Sequence, residues 1–330
     1  MIALIAALIA AYQIRKNRFE SDVGDKLALH FIDIGQGDCA LIVSPGGETL
    51  LIDAGPDASS ERVISYIKGL GINGIDHMML SHLHEDHCGA ADDIAKELTV
   101  KRVYTCTDGS DAGLLFPLFS RLSESGCEHI PVSVGFTLDL GKGVRAEVLC
   151  PSEISDRSDN DESMIVRISY GETSFLFAGD AEEDEERELL KLCPDKLSCD
   201  LLKVAHHGSS SSSCAEFISA VSPSVAVISC EKNNSYGHPH KSVLDRLEDI
   251  GAKIYRTDIS GDVLILSDKE RLLEYNGRTL RAAYALGALD GGSLFLKNMK
   301  NPLAIFDCLD YNIFKLGENG FPPGFAALAA

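Results

Sequence analysis

Residues 81–87 read SHLHEDH and directly follow the apolar stretch IDHMML at residues 75–80. The apolar stretch is typical of a β-strand, so the histidines follow in a loop at its end. Four side chains that can bind metal ions occur within six residues, and so dense a set cannot share one face of a helix. A loop can bring them together, and imidazole with carboxylate suits zinc, manganese or iron. The stretch therefore predicts a metal site; the alternative is a polar loop with incidental histidines.

The order of the ligands within this loop predicts two cations. His82 and His84 flank Leu83 and can bind one ion, while Asp86 and His87 can turn towards a second. Two divalent cations about 3.5–4 Å apart polarise a substrate and generate hydroxide from water. The loop is therefore typical of a centre in which two metal ions act together.

The composition limits the partners that the chain can bind. Of its 330 residues 45% are hydrophobic and 24% charged, enough for one large domain or two smaller ones. Lysine and arginine total 30 against 50 aspartates and glutamates, which gives a net charge of −20. Extended binding of nucleic acid needs many basic contacts with phosphates, so this charge argues against coating of a long duplex. We also expect no nucleotide cofactor.

The two ends of the chain differ from its middle. Residues 1–14 are apolar and precede the basic cluster RKNR, but a helix of this length reaches only about 21 Å of the roughly 30 Å hydrocarbon core. We expect residues 1–20 to be a short membrane anchor or the remnant of a transmembrane helix; a buried helix is the alternative. The basic cluster would place the remainder in the cytoplasm. Residues 279–330 are expected to form a tail of unknown structure.

Between these ends, over residues 25–278, short apolar runs alternate with amphipathic stretches. The strands fall into two groups, each accompanied by helices, and two sheets packed on each other beneath outer helices would satisfy this order. The ten cysteines are scattered without a CxxC pair, which argues against a zinc ribbon or a thioredoxin-type motif. Most of them lie in apolar runs and are expected to be buried, although a disulfide stays open.

Several motifs in order resemble one known family. HLHEDH matches the HxHxDH signature of the metallo-β-lactamase fold, and the wider series over about residues 27–266 resembles the metallo-hydrolase domain of the bacterial ComEC competence (DNA-internalisation) family. That series reads FIDIGQGD, TLLIDAG, HLHEDH, FLFAGDAE, LLKVAHHGS, NNSYGHPH and IYRTD. The resemblance implies an α/β fold, a four-layer αββα sandwich over residues 25–278, with the metals at one edge.

The resemblance also implies a role for each matching residue. His82 and His84 fall at the positions that bind the first metal, and Asp86 and His87 at those that bind the second. Asp180, in the AGD motif, falls where a carboxylate bridges both ions. The implied cofactors are therefore two divalent metal ions, zinc or manganese. Asp86 is also expected to be a catalytic residue.

The histidine pair at residues 206 and 207 is ambiguous. The last ligand of the second metal falls at His206, but the resemblance does not separate it from its neighbour. We prefer His206 as the ligand and expect His207 to act in catalysis.

One departure from the family concerns the first metal. Many members supply another histidine between the HxHxDH loop and the bridging aspartate, where this chain has only His129, without a matching motif. Residues 159–163 read DNDES and resemble the Asn-rich segment of the ComEC group, so Asn160 and Ser163 are candidates for substrate or supporting contacts. An oxygen ligand or an open position would favour manganese; the alternative is a solvated acidic turn.

The resemblance also places two aspartates, Asp53 and Asp38, near the metals, and Ser209 is a third candidate. Asp53, in LIDAG, would support the histidine loop and fix the orientation of its ligands. Asp38, in GQGD, would lie at the metal edge, although a plain hairpin turn explains that motif equally well. Ser209 opens a run of serines that could face a phosphate or form a flexible loop.

The segment YGHPH at residues 236–240 supplies the remaining candidates. His238 could protonate a leaving group, as a general acid with a pKa near neutrality. Tyr236 and His240 are expected to contact the substrate or support the site. Pro239 suits the start of a helix.

These observations favour a metal-dependent hydrolase that attacks phosphodiesters with a metal-bound hydroxide, in competence-type DNA uptake or processing. Its partners would be nucleic acid or another phosphodiester, with membrane association through residues 1–14 in a bacterial cell. Two alternatives stay open: a hydrolase of a lactam, lactone or thioester, and a non-catalytic membrane-associated accessory that handles nucleic acid.

Overall fold

The computed structural model describes residues 23–106, 116–151 and 163–275 of the chain. The expected anchor at residues 1–20, the expected tail at residues 279–330 and Asn160 lie outside these ranges, so the predictions for them stay open. Within the described ranges, no helix has the length and apolar character needed to cross a membrane.

The described strands are numbered along the chain. They are β1 (Leu27–Phe31), β2 (Ala40–Val43), β3 (Thr49–Ile52), β4 (Ile75–Met79), β5 (Val100–Thr105), β6 (Glu128–Pro131), β7 (Thr137–Asp139), β8 (Val144–Cys150), β9 (Ile165–Tyr170), β10 (Thr173–Phe177), β11 (Leu201–Lys203), β12 (Val225–Ile228), β13 (Lys253–Arg256), β14 (Val263–Ser267) and β15 (Leu272–Tyr275).

The described α-helices are short and lie between these strands. They are α1 (Ser60–Gly69), α2 (Glu85–Cys88), α3 (Ala91–Leu98), α4 (Phe116–Glu124), α5 (Glu183–Leu192), α6 (Ala215–Val221), α7 (Lys241–Asp249) and α8 (Thr257–Ser260).

The strands form two mixed sheets. The first sheet has the order β15-β14-β1-β2-β3-β4-β5-β6, and the second has the order β13-β12-β11-β10-β9-β8-β7. Strands β3 to β6 run parallel in the first sheet, as do β10 to β13 in the second, while the remaining pairs are antiparallel. Each sheet therefore combines a parallel and an antiparallel half.

The main core lies between the two sheets. Phe31 of β1 stacks on Phe177 of β10, with ring centroids 5.8 Å apart and planes 18° from parallel. Along β10, Phe175 and Phe177 face the other sheet, whereas Leu176 faces the outer helices. Both faces of the strand are buried, which explains why the three consecutive residues Phe175, Leu176 and Phe177 are all apolar.

Helices cover the outer face of each sheet. Ile67 of α1 and Ile94 of α3 pack with residues of the first sheet, and Phe217 of α6 and Leu247 of α7 pack with the second. The result is the predicted αββα sandwich. The carboxyl ends of β3, β4, β10, β11 and β12 meet at one edge, which is where parallel strands place functional loops.

The structure differs from the sequence prediction within the histidine loop. Glu85–Cys88 form one helical turn, so only the first half of the motif is a loop. The backbone amides of His87 and Cys88 both donate to the carbonyl of His84, at 3.0 and 2.9 Å. This turn places the ring of His87 beside that of His82, with centroids 4.2 Å apart, and directs Nε2 of His87 towards Asp180 after β10.

Candidate metal centre

Four described side chains from three separate segments form a buried cluster at this edge. Asp86 and His87 come from α2, Asp180 follows β10, and His207 follows β11. One potential ligand atom from each lies within 4.8 Å of every other. Nε2 of His87 is 3.1 Å from Oδ1 of Asp180, and Nε2 of His207 is 3.6 Å from the same oxygen. These distances suit ligands that surround a single ion.

The cluster contains polar atoms that the described protein leaves without hydrogen bonds. Nε2 of His87, Oδ1 of Asp180 and Nε2 of His207 are all buried and have no hydrogen-bond partner among the described residues. Buried polar groups are normally satisfied, and an unsatisfied set that points to one place indicates a missing ion or ligand. Imidazole and carboxylate are the donors that zinc and manganese take. The residues therefore fit a divalent metal.

The two histidines of the loop lie beside this cluster. Nε2 of His82 is 3.0 Å from Nδ1 of His84 and 3.9 Å from Oδ2 of Asp180. Asp180 thus directs one oxygen towards His82 and the other towards His87 and His207. This is the arrangement expected of a carboxylate shared by two ions, although the third ligand of the first ion stays a prediction.

The histidine pair separates in a way that the sequence analysis did not anticipate. His206 and His207 both have positive φ angles, 47° and 53°, within a tight turn at Ala205–Gly208, and their rings diverge. His207 is 2% exposed and reaches the cluster, whereas His206 is 21% exposed and contacts Glu182. The structure therefore brings His207, and not the preferred His206, into the buried group. Which of the two binds a metal stays a prediction.

His206 remains close to the centre but outside it. Its Nδ1 lies 3.3 Å from Oε1 of Glu182 and 3.4 Å from the Ser211 hydroxyl, while its Nε2 lies 3.7 Å from Oδ2 of Asp180. The role predicted for Ser209 is not visible, since its hydroxyl contacts that of Ser211, at 3.0 Å.

Asp53 supports the first half of the centre, as the sequence analysis expected. Its Oδ1 accepts the backbone amide of Ser81 at 2.7 Å, and its Oδ2 accepts the Ser81 hydroxyl at 2.8 Å. Nδ1 of His87 lies 2.9 Å from the same Oδ2, and because a carboxylate only accepts, the ring donates. This fixes the ring so that its Nε2 faces the cluster.

Asp38 performs the corresponding task for His207. Oδ1 of Asp38 is 3.2 Å from Nδ1 of His207, which also donates to the carbonyl of Ser229 at 3.1 Å. The GQGD loop packs tightly on the histidine loop: the amide of Asp38 donates to Asp86, and a Cβ on Gly37 would lie 2.4 Å from that Asp86 carbonyl oxygen. Gly37 also has a φ of 129°, which favours glycine.

Lys203 was missed by the sequence analysis. Its ammonium lies 2.6 Å from Oδ2 of Asp38, and both side chains are almost fully buried. The signal was present, since a lysine in the otherwise apolar run LLKVA is a charge within a predicted core strand. A buried charge requires a partner, which here is Asp38.

The electrostatics of the cluster favour a cation. Burial alone would lower the pKa of His207, yet Asp180, Asp38 and Asp86 raise it to about 9. Asp180 and Asp53 likewise raise the pKa of His87 against the effect of burial. The imidazoles therefore hold protons at the place where carboxylates concentrate negative charge, and a divalent ion would take the place of those protons.

Ser163 and Gly179 position the shared aspartate. The Ser163 hydroxyl accepts the backbone amide of Asp180 at 3.1 Å. Gly179 has a φ of 53°, and a Cβ there would lie 3.0 Å from the Cβ atoms of both Ser163 and Ser81. The close approach of these two loops therefore depends on a residue without a side chain.

The YGHPH segment lies next to the histidine pair. The His238 ring is 5.7 Å from that of His206 and 6.2 Å from that of His207, between centroids. Burial and these two histidines, with His240, lower the pKa of His238 to about 4. The role of His238 as a general acid stays a prediction. His240 accepts the amide of Ser210 at 3.1 Å.

His129 and Cys88 make contacts outside the cluster. His129 stacks on Phe119, with centroids 4.3 Å apart, and contacts the Thr105 hydroxyl at 2.8 Å. The thiol of Cys88 donates to the carbonyl of Leu83, and burial raises its pKa to about 11. All nine cysteines within the described ranges are free thiols.

Comparison with known proteins places the fold. The sequence profile of the Metallo-beta-lactamase superfamily matches residues 32–111. Among solved structures, CmlA, a diiron β-hydroxylase from Streptomyces venezuelae, has a TM-score of 0.52 at 16% identity, covering 76% of this chain and 54% of CmlA. At that identity the likeness shows the fold alone.

Curated relatives show a closer relationship. ComE operon protein 3 of Bacillus subtilis is 32% identical over 253 residues, covering 70% of this chain and 32% of that protein. Competence protein ComA of Neisseria gonorrhoeae is 32% identical over 230 residues, covering 69% and 30%. The chain thus spans about a third of the length of these relatives. It contains a metallo-β-lactamase superfamily domain that is distantly homologous to bacterial competence proteins.

Proposed function

We propose that this domain is a metal-dependent hydrolase that cleaves phosphodiester bonds, with DNA or another nucleic acid as its substrate. The observation that carries the proposal is the convergence of buried, unsatisfied ligand atoms from Asp180, His87 and His207. Such a set is costly in a folded protein unless an ion compensates it.

The residues divide into two groups around one carboxylate. His82 and His84 would hold a first ion, and Asp86, His87 and His207 would hold a second, with Asp180 between them. When bound, two divalent ions supply an activated water and a positive charge that offsets the charge developing on a phosphoryl group. The side chains present suit either zinc or manganese.

The surrounding residues orient these ligands. Asp53 accepts the Nδ1 proton of His87, and the Ser229 carbonyl accepts that of His207, whose Nδ1 also lies 3.2 Å from Asp38, so that each ring presents Nε2 to the centre. Asp38 is held in turn by Lys203, and burial of the pair keeps water from competing for these contacts. The chain thereby preorganises the centre before substrate arrives.

A phosphodiester is the substrate that best suits the relatives and the charge. One relative, ComA of Neisseria gonorrhoeae, is a competence protein by name, and a polyanion requires local positive charge on a chain whose net charge is −20. Divalent ions provide that charge at one point. Association with nucleic acid, and with a bacterial membrane through residues 1–14, belongs to the same proposal.

The test is a substrate panel with metal-loaded protein. The chain is loaded with zinc or manganese and assayed on single-stranded DNA, RNA, bis-p-nitrophenyl phosphate and a β-lactam. We expect hydrolysis of the phosphodiesters, and a loss of roughly 1,000-fold or more in the variants His84→Ala and Asp86→Ala, because several kcal/mol of charge stabilisation disappear.

The same assay contains its control and its contrary outcomes. Lys101→Ala, an exposed residue that pairs with Asp76 on the surface, should keep the activity of the parent chain. Turnover of the β-lactam alone would replace a phosphodiesterase with a lactam hydrolase. Full activity in both ligand variants would show that the centre is elsewhere.

A further inference from the structure

Tyr236 is a large apolar ring left open to solvent beside the metal centre. Its side chain is 65% exposed, whereas most aromatic residues of the described chain are buried or partly buried. One face of the ring stacks on His238, with centroids 5.5 Å apart and planes 22° from parallel. A second planar group could stack on the ring from the solvent side.

A row of rings connects this exposed position to the ligands. His238 contacts Tyr236 on one side and lies 6.2 Å from the ring of His207 on the other, at 31° between planes. His207 belongs to the buried cluster. Tyr236 therefore lies two ring contacts from His207, a member of the buried cluster.

The loop that carries Tyr236 is held by hydrogen bonds on both sides. The Asn234 side chain donates to the carbonyls of Glu231 and His238, at 2.9 and 2.7 Å, and accepts the amide of His238 at 2.9 Å. The amide of His240 donates to the carbonyl of Gly208 at 2.9 Å. The stacking partner of Tyr236 is thus fixed before any ligand binds, and preorganised contacts lose less entropy on binding.

The charge of the chain makes such a contact useful. With a net charge of −20, the protein gains little from general attraction to a phosphate backbone. Stacking of a base on an aromatic ring does not depend on charge, and every nucleobase has a face that can stack. An exposed tyrosine also has an apolar face and few rotatable bonds to fix on binding.

We propose that Tyr236, supported by His238, is a stacking site for an unpaired nucleobase adjacent to the phosphodiester bond held at the metal centre. The proposal rests on the proposed function, because it assigns a recognition role within the same site. A base paired in a duplex already stacks on its neighbours, so the site selects nucleotides whose bases are free.

The first test uses hydrolysis. Two single-stranded oligonucleotides of equal length are compared, one with bases and one built from abasic units. We expect the ratio of kcat/KM for the base-bearing over the abasic strand to fall roughly 5- to 150-fold in Tyr236→Ala, the range for loss of one base–aromatic stack. Tyr236→Phe keeps the ring and should restore the ratio of the parent chain.

The second test uses binding and does not depend on turnover. The chain contains no tryptophan, so Tyr236→Trp introduces one fluorescent indole at the proposed site. We expect phosphorothioate-linked oligodeoxyadenosine to quench this fluorescence, and the abasic strand of the same backbone to leave it unchanged. Leu192→Trp is the matched control. Leu192 is also exposed, but it is the last residue of α5, whereas the first residue of that helix, Glu183, is the one close to Asp180 in the sequence. The fluorescence of an indole at residue 192 should therefore not respond.

The outcomes separate the two proposals. An unchanged ratio in Tyr236→Ala, together with an indole at residue 236 that does not respond to base-bearing strands, would overturn the stacking site while leaving the phosphodiesterase intact. Quenching by base-bearing strands, in a metal-loaded protein that hydrolyses no phosphodiester, would support the stacking site and overturn the proposed activity.

Discussion

The two sheets build their halves of the metal centre in different ways. The first sheet supplies His82, His84, Asp86 and His87 from one continuous segment after β4. The second sheet supplies Asp180 and His207 from two loops, after β10 and β11, which meet only because these strands are parallel neighbours. We call the first set the local half, because its residues are close together in the sequence. We call the second set the distributed half, because only the fold brings its residues together.

The supports for the two halves also differ. Asp53 follows a strand adjacent to β4 and bonds to the segment that it supports. Asp38 belongs to the first sheet but orients His207 of the second, and Lys203 of the second sheet holds Asp38 in turn. The distributed half thus depends on contacts between the sheets. Substitutions in the distributed half should therefore show how metal binding depends on the packing of the two sheets, which substitutions in the local half do not test.

The largest expected effect compares the two adjacent histidines. His207→Ala should weaken metal binding about 100-fold or more and abolish metal-dependent turnover, because it removes a buried ligand. His206→Ala should weaken binding by less than about tenfold, since that ring contacts Glu182 at the edge of the centre. Calorimetric titration of each variant with zinc and manganese measures both effects. The reverse order of affinities would return the ligand role to His206.

This pair also shows how far the sequence could predict the centre. The structure brings together Asp86, His87 and Asp180, which the resemblance implied as ligands, and it has the two-sheet sandwich that the order of strands and helices predicted. The member of the pair that joins them could not be predicted, because it depends on two consecutive residues with positive φ, which turn adjacent side chains in different directions. The residue types alone do not predict these φ angles.

The same distinction applies to the supporting residues. The place of Asp53 beside the histidine loop was implied by the resemblance of LIDAG to the family motif, and its oxygens bond to Ser81. Lys203 stands out in the sequence as a charge in an apolar run, but its partner Asp38, 165 residues away along the chain, could not be predicted. Contacts at that separation arise from sheet packing, and a single sequence gives no direct measure of them.

The second prediction tests the contact between the sheets. Lys203→Met should leave Asp38 buried without its cation and weaken metal binding roughly 10- to 100-fold, through the orientation of His207. Lys101→Met removes an exposed lysine paired with Asp76 in the first sheet, and should change stability by less than about 1 kcal/mol, with metal affinity unaltered. Metal titration and urea unfolding of both variants provide the measurements.

A double variant shows whether Lys203 acts through Asp38. In Lys203→Met with Asp38→Asn the buried charge is removed, while the amide oxygen can still accept from Nδ1 of His207. We expect this variant to bind metal more tightly than Lys203→Met alone. Losses that simply add would mean that Lys203 contributes packing and does not position the histidine.

The smallest expected effect is on stability and concerns a buried carboxyl that supports the distributed half. Glu186 of α5 is buried, and its oxygens accept the amides of Ser213 and Cys214 at 2.5 and 2.7 Å, at the start of α6. Burial raises its pKa from 4.5 to about 7 against the effect of these hydrogen bonds. The folded protein therefore holds this proton more tightly than the unfolded chain does.

The sign of the pH dependence follows from that shift. The stabilising contribution of the protonated carboxyl is complete below pH 4.5 and is lost as the pH rises through about 7. Relative to Glu186→Gln, which does not titrate, the parent chain should lose about 2–3 kcal/mol of unfolding free energy between about pH 5 and about pH 8. Glu85→Gln, at an exposed carboxylate of the local half that accepts the Asp57 amide, should differ from the parent by less than about 0.5 kcal/mol across the same range. Urea unfolding in the presence of a chelator measures both, and parallel pH profiles for the two variants would mean that the distributed half has no special dependence on buried polar contacts.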